Sequence, residues 1–331
     1  MNIGRQRALD VARGGFTAPK PIKGKRVRRS MSAAGCICSK GCTSTWRCQP
    51  SRLCGTSDDI WQPGSNASAV QVPLPPRVAI VLFLAFDRKL VRPKFQHRPE
   101  AAYEREFNRI KWLLRSAKRV QTRLPIYMVV GPERDQAKEA ILIRKGLAGV
   151  IEGKAVAPPQ WASSFHRLTF AKIGALALTQ FDKVFVVDND VTFLGNVDHL
   201  AYAQTPSAVW STAMSPFQWK SNESCAVNSG VLGLSPSMAE FKRAIRHLAK
   251  MSRRSGQSGK KNRTTLYDGS DQAFFREFYS WYELPARYHA HEALTFPPQD
   301  WSRIRLLHTI SGFRDRSNVP KDLRKHIRYF Y

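Results

Sequence analysis

The stretch KVFVVDNDVTFLGNVDHL, residues 183–200, joins a run of apolar and mostly β-branched side chains to two aspartates one residue apart. The run at 183–187 predicts a strand that is buried on both faces, as in a parallel sheet. In an extended chain alternate side chains share a face, so we expect Asp188 and Asp190 to face one site and Asn189 to point away. The strand is therefore predicted to end at a pair of carboxylates.

Two other segments, VAIVLFLAF (78–86) and IYMVV (126–130), have the same apolar character. Apolar residues at helical spacing predict helices at 100–120 and 133–147, and a third helix is predicted at 163–181. This strand and helix order predicts an α/β fold with a Rossmann-like, mostly parallel sheet and flanking helices. Ligands of such sheets bind beyond the carboxyl ends of the strands.

Beyond residue 200 the pattern is looser. The sequence predicts a strand at 228–235, a helix from Pro236 to about Met251, a mobile basic loop at 252–265, a helix at 270–282 and a short apolar segment at 303–308.

Three parts are predicted along the chain. Residues 1–76 are rich in Gly, Ser, Pro and Arg and end in a proline-rich break, so we expect a basic, disordered or targeting segment there. A single catalytic domain is expected at 77–316, followed by a basic, aromatic tail at 317–331. The cysteine run at 36–54 lacks paired CxxC spacing and histidine, which leaves open whether it binds a metal.

The formal net charge is +28, which suggests an anionic partner. Twelve lysines and arginines precede residue 58 against one acid, Asp10, so about a third of the excess lies outside the predicted domain. The first thirty residues are basic like a transit peptide and lack the apolar centre of a secretory signal. No apolar run is long enough for a membrane-spanning helix. We therefore expect a soluble protein of the cytoplasm or a plastid rather than of the secretory pathway.

The paired carboxylates predict a metal site. Two neighbouring carboxylates repel each other unless a cation lies between them. Oxygen ligands suit Mg²⁺ or Mn²⁺, and an ion with two or three protein ligands keeps positions for the oxygens of a diphosphate. A D-x-D triplet alone is weak evidence, and its position directly after a buried strand gives it weight.

Further motifs follow the aspartates in a recognisable order. The chain has a lysine on the preceding helix, an N-S-G strand, a G-x-D-Q turn and a late histidine followed by glycine, at Lys172, 228–230, 269–272, His308 and Gly312. Together with Asp188 and Asp190 they resemble the glycogenin-like glycosyltransferases of family 8, which have the GT-A fold. The resemblance runs from about Arg77 to about Arg316. The spacing from His308 to Gly312 is one residue longer than is usual in the family.

The resemblance implies a role for each matched residue. Asp188, Asp190 and His308 are similar to the Mn²⁺ ligands of the family, with Mg²⁺ as a second candidate ion. Lys172, Asp271 and Gln272 resemble the residues that act at the donor phosphate and beside the reacting carbon. The donor site implied in this way comprises Phe86, Asp87, Lys172, Asp188, Asn189, Asp190, Asn228, Ser229, Gly230, Asp271, Gln272, His308 and Gly312.

Structural interpretations remain open for several of these residues. His308 also fits a hydrogen-bonded core histidine, Lys172 also fits a solvated helix face, and Asp271 with Gln272 also fits the capped N-terminus of a helix.

The resemblance implies retaining transfer of a hexosyl group from a UDP-sugar to a glycan, protein or lipid acceptor. An anionic glycan acceptor would suit the charge of the chain. The stretch at 289–301, where self-glucosylating members carry an acceptor tyrosine, has none, and Tyr288 lies too early. We therefore expect no self-glucosylation.

Two other classes of function compete with this interpretation. A nucleic-acid-binding protein is favoured by the charge, by the basic segment 253–263 and by the tail at 321–331, but no recognition-helix, RRM or paired zinc-finger signature is present. A nucleotidyltransferase would share the acidic strand end, but the first strand is not followed by a glycine-rich phosphate loop.

Overall fold

In a computed structural model of the protein, the described residues are 37–38, 77–90, 98–210, 227–258, 267, 269–291, 301–309 and 319–327. Gly312, residues 259–265 of the predicted basic loop and most of the predicted N-terminal segment lie outside them.

Eleven strands are present in the described residues. They are β1 (Ile37–Cys38), β2 (Val78–Leu84), β3 (Ile126–Val130), β4 (Gly149–Glu152), β5 (Lys183–Val187), β6 (Val191–Phe193), β7 (Ser207–Trp210), β8 (Val227–Leu234), β9 (Trp281–Leu284), β10 (Ala290–His291) and β11 (Leu306–His308).

The main sheet has the strand order β1-β9-β7-β8-β5-β2-β3-β4. Strands β5, β2, β3 and β4 are parallel neighbours, and β7 is parallel to β9. Strand β8 runs antiparallel between β5 and β7. The predicted α/β fold with a mostly parallel sheet is confirmed. The carboxyl ends of β2 and β5 meet at one edge, where the start of β8 also lies.

Five α-helices and four 3-10 helices accompany these strands in the described residues. They are α1 (Pro99–Arg119), α2 (Gln136–Arg144), α3 (Met238–Ser258), α4 (Asp271–Phe278) and α5 (Lys321–Arg324), with 3-10 helices at Arg88–Leu90, Arg167–Ala177, Asp198–Tyr202 and Ala286–Tyr288.

Three predicted elements differ from the structure. The helix predicted at 163–181 is a 3-10 helix that begins at Arg167 and ends at Ala177. The helix predicted at 270–282 ends at Phe278, and Trp281 begins strand β9 beside β7. The aromatic residues of 279–282 are compatible with either a helix or a strand. Pairing with β7 makes the segment from Trp281 a strand. Helix α3 continues to Ser258, through part of the predicted mobile loop.

The core lies on both faces of the main sheet. In β2, Ile80 and Leu82 pack on the side of α1, whereas Ala79 and Val81 pack on the side of α3 and α4. This two-sided burial explains why β2 is apolar without alternation. Helix α1 begins at a proline, which suits the first turn of a helix. It buries the predicted apolar face of Tyr103, Phe107, Ile110, Leu113 and Leu114.

A second sheet of strands β10, β11 and β6 positions the late histidine. Strand β11 pairs antiparallel with β6, so that His308 lies opposite Val191, the residue after Asp190. Behind this sheet Trp301 and Ile304 pack with Val319 and Ile327. The described part of the predicted tail therefore packs against the sheet that carries His308. The boundaries at 77 and 316 remain predictions.

No helix in the described part of the chain is both long enough and apolar enough to cross a bilayer.

Candidate functional site

A cavity of about 320 Å³ opens at the carboxyl ends of β2 and β5. Its wall is formed by the ends of these strands, the start of β8, one face of α1, the start of α4 and the segment 164–172. Most residues of the predicted donor site line it: Phe86, Lys172, Asp188, Asn189, Asp190, Asn228, Ser229, Asp271, Gln272 and His308.

The two aspartates after β5 lie in a tight turn. The amide of Val191 donates to the carbonyl of Asp188 at 3.1 Å, and the amide of Asp188 donates to the carbonyl of Gly230 at 2.9 Å. The expectation that both carboxylates share a face of an extended strand is therefore wrong in its geometry. Asn189 also lines the cavity, and its Nδ2 donates to the carbonyl of Phe83 at 2.9 Å. A turn lets successive side chains converge on one cavity.

Asp188, Asp190 and His308 form a group that can hold a metal ion. Their ligand atoms all lie within 4.8 Å of one another, and Nε2 of His308 lies 3.1 Å from Oδ1 of Asp190. Two ligands of one ion, each at about 2.0–2.5 Å, stand up to about 4–5 Å apart, so one ion can contact all three. The arrangement follows from the β11–β6 pairing, which brings residue 308 beside residue 190.

The carboxylates and the imidazole of this group are not equivalent in charge. Burial opposes ionisation of Asp190, but His308 and Arg109 outweigh it and hold the pKa of Asp190 well below its usual range. Burial raises the pKa of Asp188 above its usual range, although Lys172 acts in the opposite direction. Burial also disfavours the imidazolium, but Asp190 outweighs it and raises the pKa of His308. The site thus concentrates interacting charges in a buried position, a common feature of functional sites.

Lys172 connects the acidic turn to the start of α4. Its Nζ lies 2.6 Å from Oδ1 of Asp188 and 3.2 Å from Oδ2 of Asp271, and it donates to the carbonyl of Ser229 at 3.1 Å. Burial opposes the ammonium charge, but the two carboxylates outweigh it and raise the pKa of Lys172 above its usual value. The lysine is buried, so the solvated helix face left open by the sequence is excluded.

Asp271 and Gln272 begin α4 and are held in place by neighbouring residues. Oγ1 of Thr169 donates to Oδ1 of Asp271 at 2.6 Å, and the amide of Ser229 donates to Oε1 of Gln272 at 3.2 Å. Neither bond is the N-terminal cap of α4 left open by the sequence, and Ser270 occupies the N-cap position. The preceding turn needs Gly269, whose φ is +81°.

Two residues of the predicted sugar-donor site, Asp87 and Gly230, do not line the cavity. Asp87 is not among the residues that line the cavity, and its Oδ1 accepts a bond from the amide of Lys89 at 2.8 Å. Gly230 is also absent from the lining, and it lies behind the acidic turn against His289. Gly312 lies outside the described residues.

Three charged residues of α1, Arg105, Glu106 and Arg109, line the cavity but were not predicted. Arg109 is buried, and its guanidinium lies 3.1 Å from Glu106 and 3.8 Å from Asp190. Burial opposes its charge, but Glu106 and Asp190 outweigh it and raise the pKa of Arg109. The sequence feature that could have indicated them is the pair Glu106 and Arg109, which borders the apolar stripe of an amphipathic helix. His289, which contacts His308, and Phe165, half exposed at the cavity, had no comparable signal.

Comparisons with known proteins find distant similarity. No protein-family model matches the chain. A putative UDP-glucuronate:xylan alpha-glucuronosyltransferase 4 of Arabidopsis thaliana is 26% identical over 119 residues, which are 36% of this chain and 17% of that protein. Uncharacterized protein R707 of Acanthamoeba polyphaga mimivirus is 25% identical over 189 residues, covering 50% of this chain and 64% of that one.

A solved structure of mouse xyloside xylosyltransferase 1 is similar over 74% of this chain and 100% of its own, with 15% sequence identity and a TM-score of 0.45. The chain spans less than a fifth of the length of the Arabidopsis protein that it matches. The geometry of the site is therefore the main basis for assigning a function.

Proposed function

We propose that this protein is a glycosyltransferase that depends on a divalent metal and takes its sugar from a UDP-sugar. The observation that carries the proposal is the convergence of Asp188, Asp190 and His308 at one cavity, with the charged Lys172 beside them. The order of sequence motifs and the distant similarity to a protein named as a xylan glucuronosyltransferase support the same class.

The three candidate ligands, Asp188, Asp190 and His308, fit Mn²⁺. Two carboxylates and one imidazole combine hard oxygen ligands with a nitrogen ligand, which suits Mn²⁺ better than Mg²⁺. Three protein ligands leave coordination positions for two diphosphate oxygens. When bound, the ion would supply positive charge against the diphosphate as it leaves.

The cavity offers different surroundings to the two halves of a UDP-sugar. Some of its lining residues are apolar and suit the uracil and ribose, whereas others are charged and suit the diphosphate and the sugar. The apolar residues include Phe83, Leu84, Ala85, Phe86, Leu90 and Ala102.

The chain's own residues position the reacting groups. Lys172 stays charged between Asp188 and Asp271, so it fixes both carboxylates and adds positive potential near the diphosphate. The bond from Thr169 fixes Asp271, and the bond from the amide of Ser229 fixes Gln272 among the polar lining residues that we assign to the sugar. Such fixed polar groups favour charge separation because they need no reorganisation.

The finer features of the activity are part of the proposal. Retention of configuration, transfer of a hexosyl group and an acceptor that is a glycan, protein or lipid follow from the resemblance. An anionic glycan fits the charge, and UDP-glucuronate becomes a donor candidate through the name of the Arabidopsis protein. Tyr288 is buried and contacts His199, which supports the expectation that it accepts no glucose.

A thermal-shift screen followed by a hydrolysis assay tests the proposal. The purified chain is heated with UDP, ATP, GTP or NAD, each with Mn²⁺ or with EDTA. We expect UDP with Mn²⁺ to raise the melting temperature most and Mn²⁺-dependent release of UDP from UDP-glucose, UDP-galactose, UDP-xylose or UDP-glucuronate. Stabilisation by ATP or GTP but not by UDP would favour a nucleotidyltransferase instead.

Asp190→Asn tests the metal group directly. The change keeps the shape of the side chain but removes the charge, and we expect UDP release to fall by about 100-fold or more. Asp182→Asn is the matched control, because Asp182 precedes β5 and its side chain is 65% exposed. Equal activity of Asp190→Asn and the wild type, or activity unchanged by EDTA, would contradict the proposal.

Nucleic-acid binding is a second candidate that one surface feature favours. Lys242, Arg246, Lys250 and Arg253 are exposed along one face of α3, at spacings of four, four and three residues. A filter-binding titration with duplex DNA at rising salt tests it, because phosphate contacts give a steep salt dependence. Binding that charge reversal at Arg246 abolishes would support this second function.

A further inference from the structure

His289 lies directly behind His308. Its Nε2 is 2.8 Å from Nδ1 of His308, whose other ring nitrogen, Nε2, lies 3.1 Å from Asp190. The imidazole of His308 is thus held at both nitrogens, on one side by His289 and on the other by the acidic turn. His289 is only 4% exposed, so its ring is fixed by packing.

Gly230 makes the position of His289 possible. A β-carbon at residue 230 would stand 2.4 Å from Nε2 and 2.7 Å from Cε1 of His289, which is closer than atoms approach each other. Any other residue at 230 therefore displaces the nitrogen that contacts His308. The glycine of the N-S-G motif thus has a steric role behind the site, although it does not line the cavity.

We propose that His289 is a positioning residue that orients His308 as a metal ligand. A neutral imidazole that binds an ion through Nε2 carries its hydrogen on Nδ1, and this N–H needs an acceptor. Nε2 of His289, at 2.8 Å, is in reach as that acceptor. The bond fixes both the tautomer of His308 and the direction of its ring, as partners of ligating histidines commonly do. The inference rests on the metal site of the proposed function and extends it.

The test measures Mn²⁺ binding without nucleotide or sugar, by the EPR signal of free Mn²⁺ during a titration. We expect His289→Phe to weaken Mn²⁺ binding by about 10- to 100-fold, because the ring remains but the acceptor is lost. His289→Gln should bind more nearly like the wild type, because its amide oxygen can accept the bond. His199→Phe is the control, since it changes a largely buried histidine that contacts Tyr288 instead of His308.

A double-mutant cycle tests the role of Gly230. Gly230→Ala should weaken Mn²⁺ binding in the wild-type background, because its methyl group displaces His289. In a His289→Ala background the same change should cost much less, because the two closest atoms that the methyl group meets are gone and only Oδ1 of Asn228, at 3.3 Å, is left of the three nearest. Pulsed EPR of bound Mn²⁺ should show a coupled nitrogen in the wild type and a weaker coupling in His289→Phe.

The outcomes separate this inference from the proposed function. If the wild type binds no Mn²⁺, the metal site and the role of His289 are both wrong. If the wild type binds Mn²⁺ and His289→Phe binds it equally well, only the role of His289 is wrong. Equal losses in the Phe and Gln variants would also overturn it, because a residue that only fills space would be disturbed by both changes.

Discussion

Asp190 and Asp198 both follow β5 in the chain, one before and one after β6, but their carboxylates have different surroundings. The two oxygens of Asp198 accept two bonds each, three from residues 123–124 and one from Asn196, at 2.8–3.2 Å. The oxygens of Asp190 face a cavity and an imidazole, His308, at 3.1 Å. A carboxylate whose acceptor positions are filled by the protein holds the chain in place, whereas one at a cavity remains available to a ligand.

The same difference separates the roles of the two regions. Asp198 joins the start of a 3-10 helix to the loop before β3 and contacts no cavity residue that the structure describes. Asp188 and Asp190 concentrate negative charge that Lys172, Arg109 and His308 offset. Stability is expected to depend on the first region and activity on the second, with Lys172 affecting both.

The largest effect on stability is expected for Lys172→Met. The change leaves Asp188 and Asp271 buried without their cation, and we expect the free energy of unfolding to fall by about 3–5 kcal/mol. Mn²⁺ should restore part of the lost free energy of unfolding, because it would supply positive charge beside Asp188. Urea unfolding with and without Mn²⁺ measures both effects.

Lys183→Met is the matched control for this prediction. Lys183 begins β5, and its Nζ donates to the carbonyls of Ala201 and Ala203, with no carboxylate partner among the described residues. We expect a loss of about 1 kcal/mol, because a neutral acceptor needs no compensating charge. Equal losses of unfolding free energy in Lys172→Met and Lys183→Met would contradict the prediction that the carboxylate partners of Lys172 cause the larger loss.

A smaller loss of about 2–3 kcal/mol is expected for Asp198→Ala. Two backbone amides, of Arg123 and Leu124, would lose their acceptor in a largely buried position. Asp198→Asn should lose less, because its amide oxygen can still accept both bonds. The UDP release per folded molecule should match the wild type, and a loss of activity in the folded protein would contradict the comparison.

The region around Asp198 should also respond to pH through His199. Burial, reinforced by Arg305 and Arg287 and opposed by Asp198, lowers the pKa of His199 from 6.5 to about 4, and its Nε2 contacts the hydroxyl of Tyr288. The unfolded chain therefore takes up a proton below pH 6.5 that the folded protein refuses until about pH 4.

Stability should consequently fall by about 2 kcal/mol between pH 7 and pH 5 through this one group. Above pH 7 His199 is neutral in both the folded and the unfolded state, and well below pH 4 it is protonated in both. The loss of stability through His199 is therefore confined to the range between about pH 7 and pH 4. Urea unfolding at several pH values measures it, and His199→Gln should flatten the slope. An equal slope in the variant would show that other groups cause the pH dependence.

The smallest effect is expected for the aspartate before β5. Asp182 pairs with Arg77 at 3.2 Å, and both side chains are more than half exposed. Asp182→Asn should change the free energy of unfolding by about 0.5 kcal/mol or less and leave UDP release unchanged. A larger effect on either quantity would show that nearness to β5 along the chain, rather than the surroundings of each carboxylate, sets the outcome.

The sequence predicted the strands at 78–86, 126–130 and 183–187 well, because burial on both faces requires continuous apolar residues. It failed at 163–181 and 270–282, where helix type and length depend on neighbours. At 281–284 the pairing of β9 with β7 outweighs the aromatic helical pattern. The sequence also assigned the acidic pair to an extended strand, whereas the hydrogen bond from the amide of Val191 to the carbonyl of Asp188 closes a turn there.

The sequence alone determined the main α/β sheet and the position of an acidic pair at the end of a buried strand, since both depend on local patterns of hydrophobicity and charge. His308 was found only through the order of motifs, because no local pattern marks a ligand far away along the chain. Tertiary structure alone decided that β11 pairs beside the acidic turn, that Arg109 and Lys172 balance its charge, and that His289 fills the space above Gly230. Which side chains meet depends on strand pairing and on packing volume, and these are properties of the folded chain.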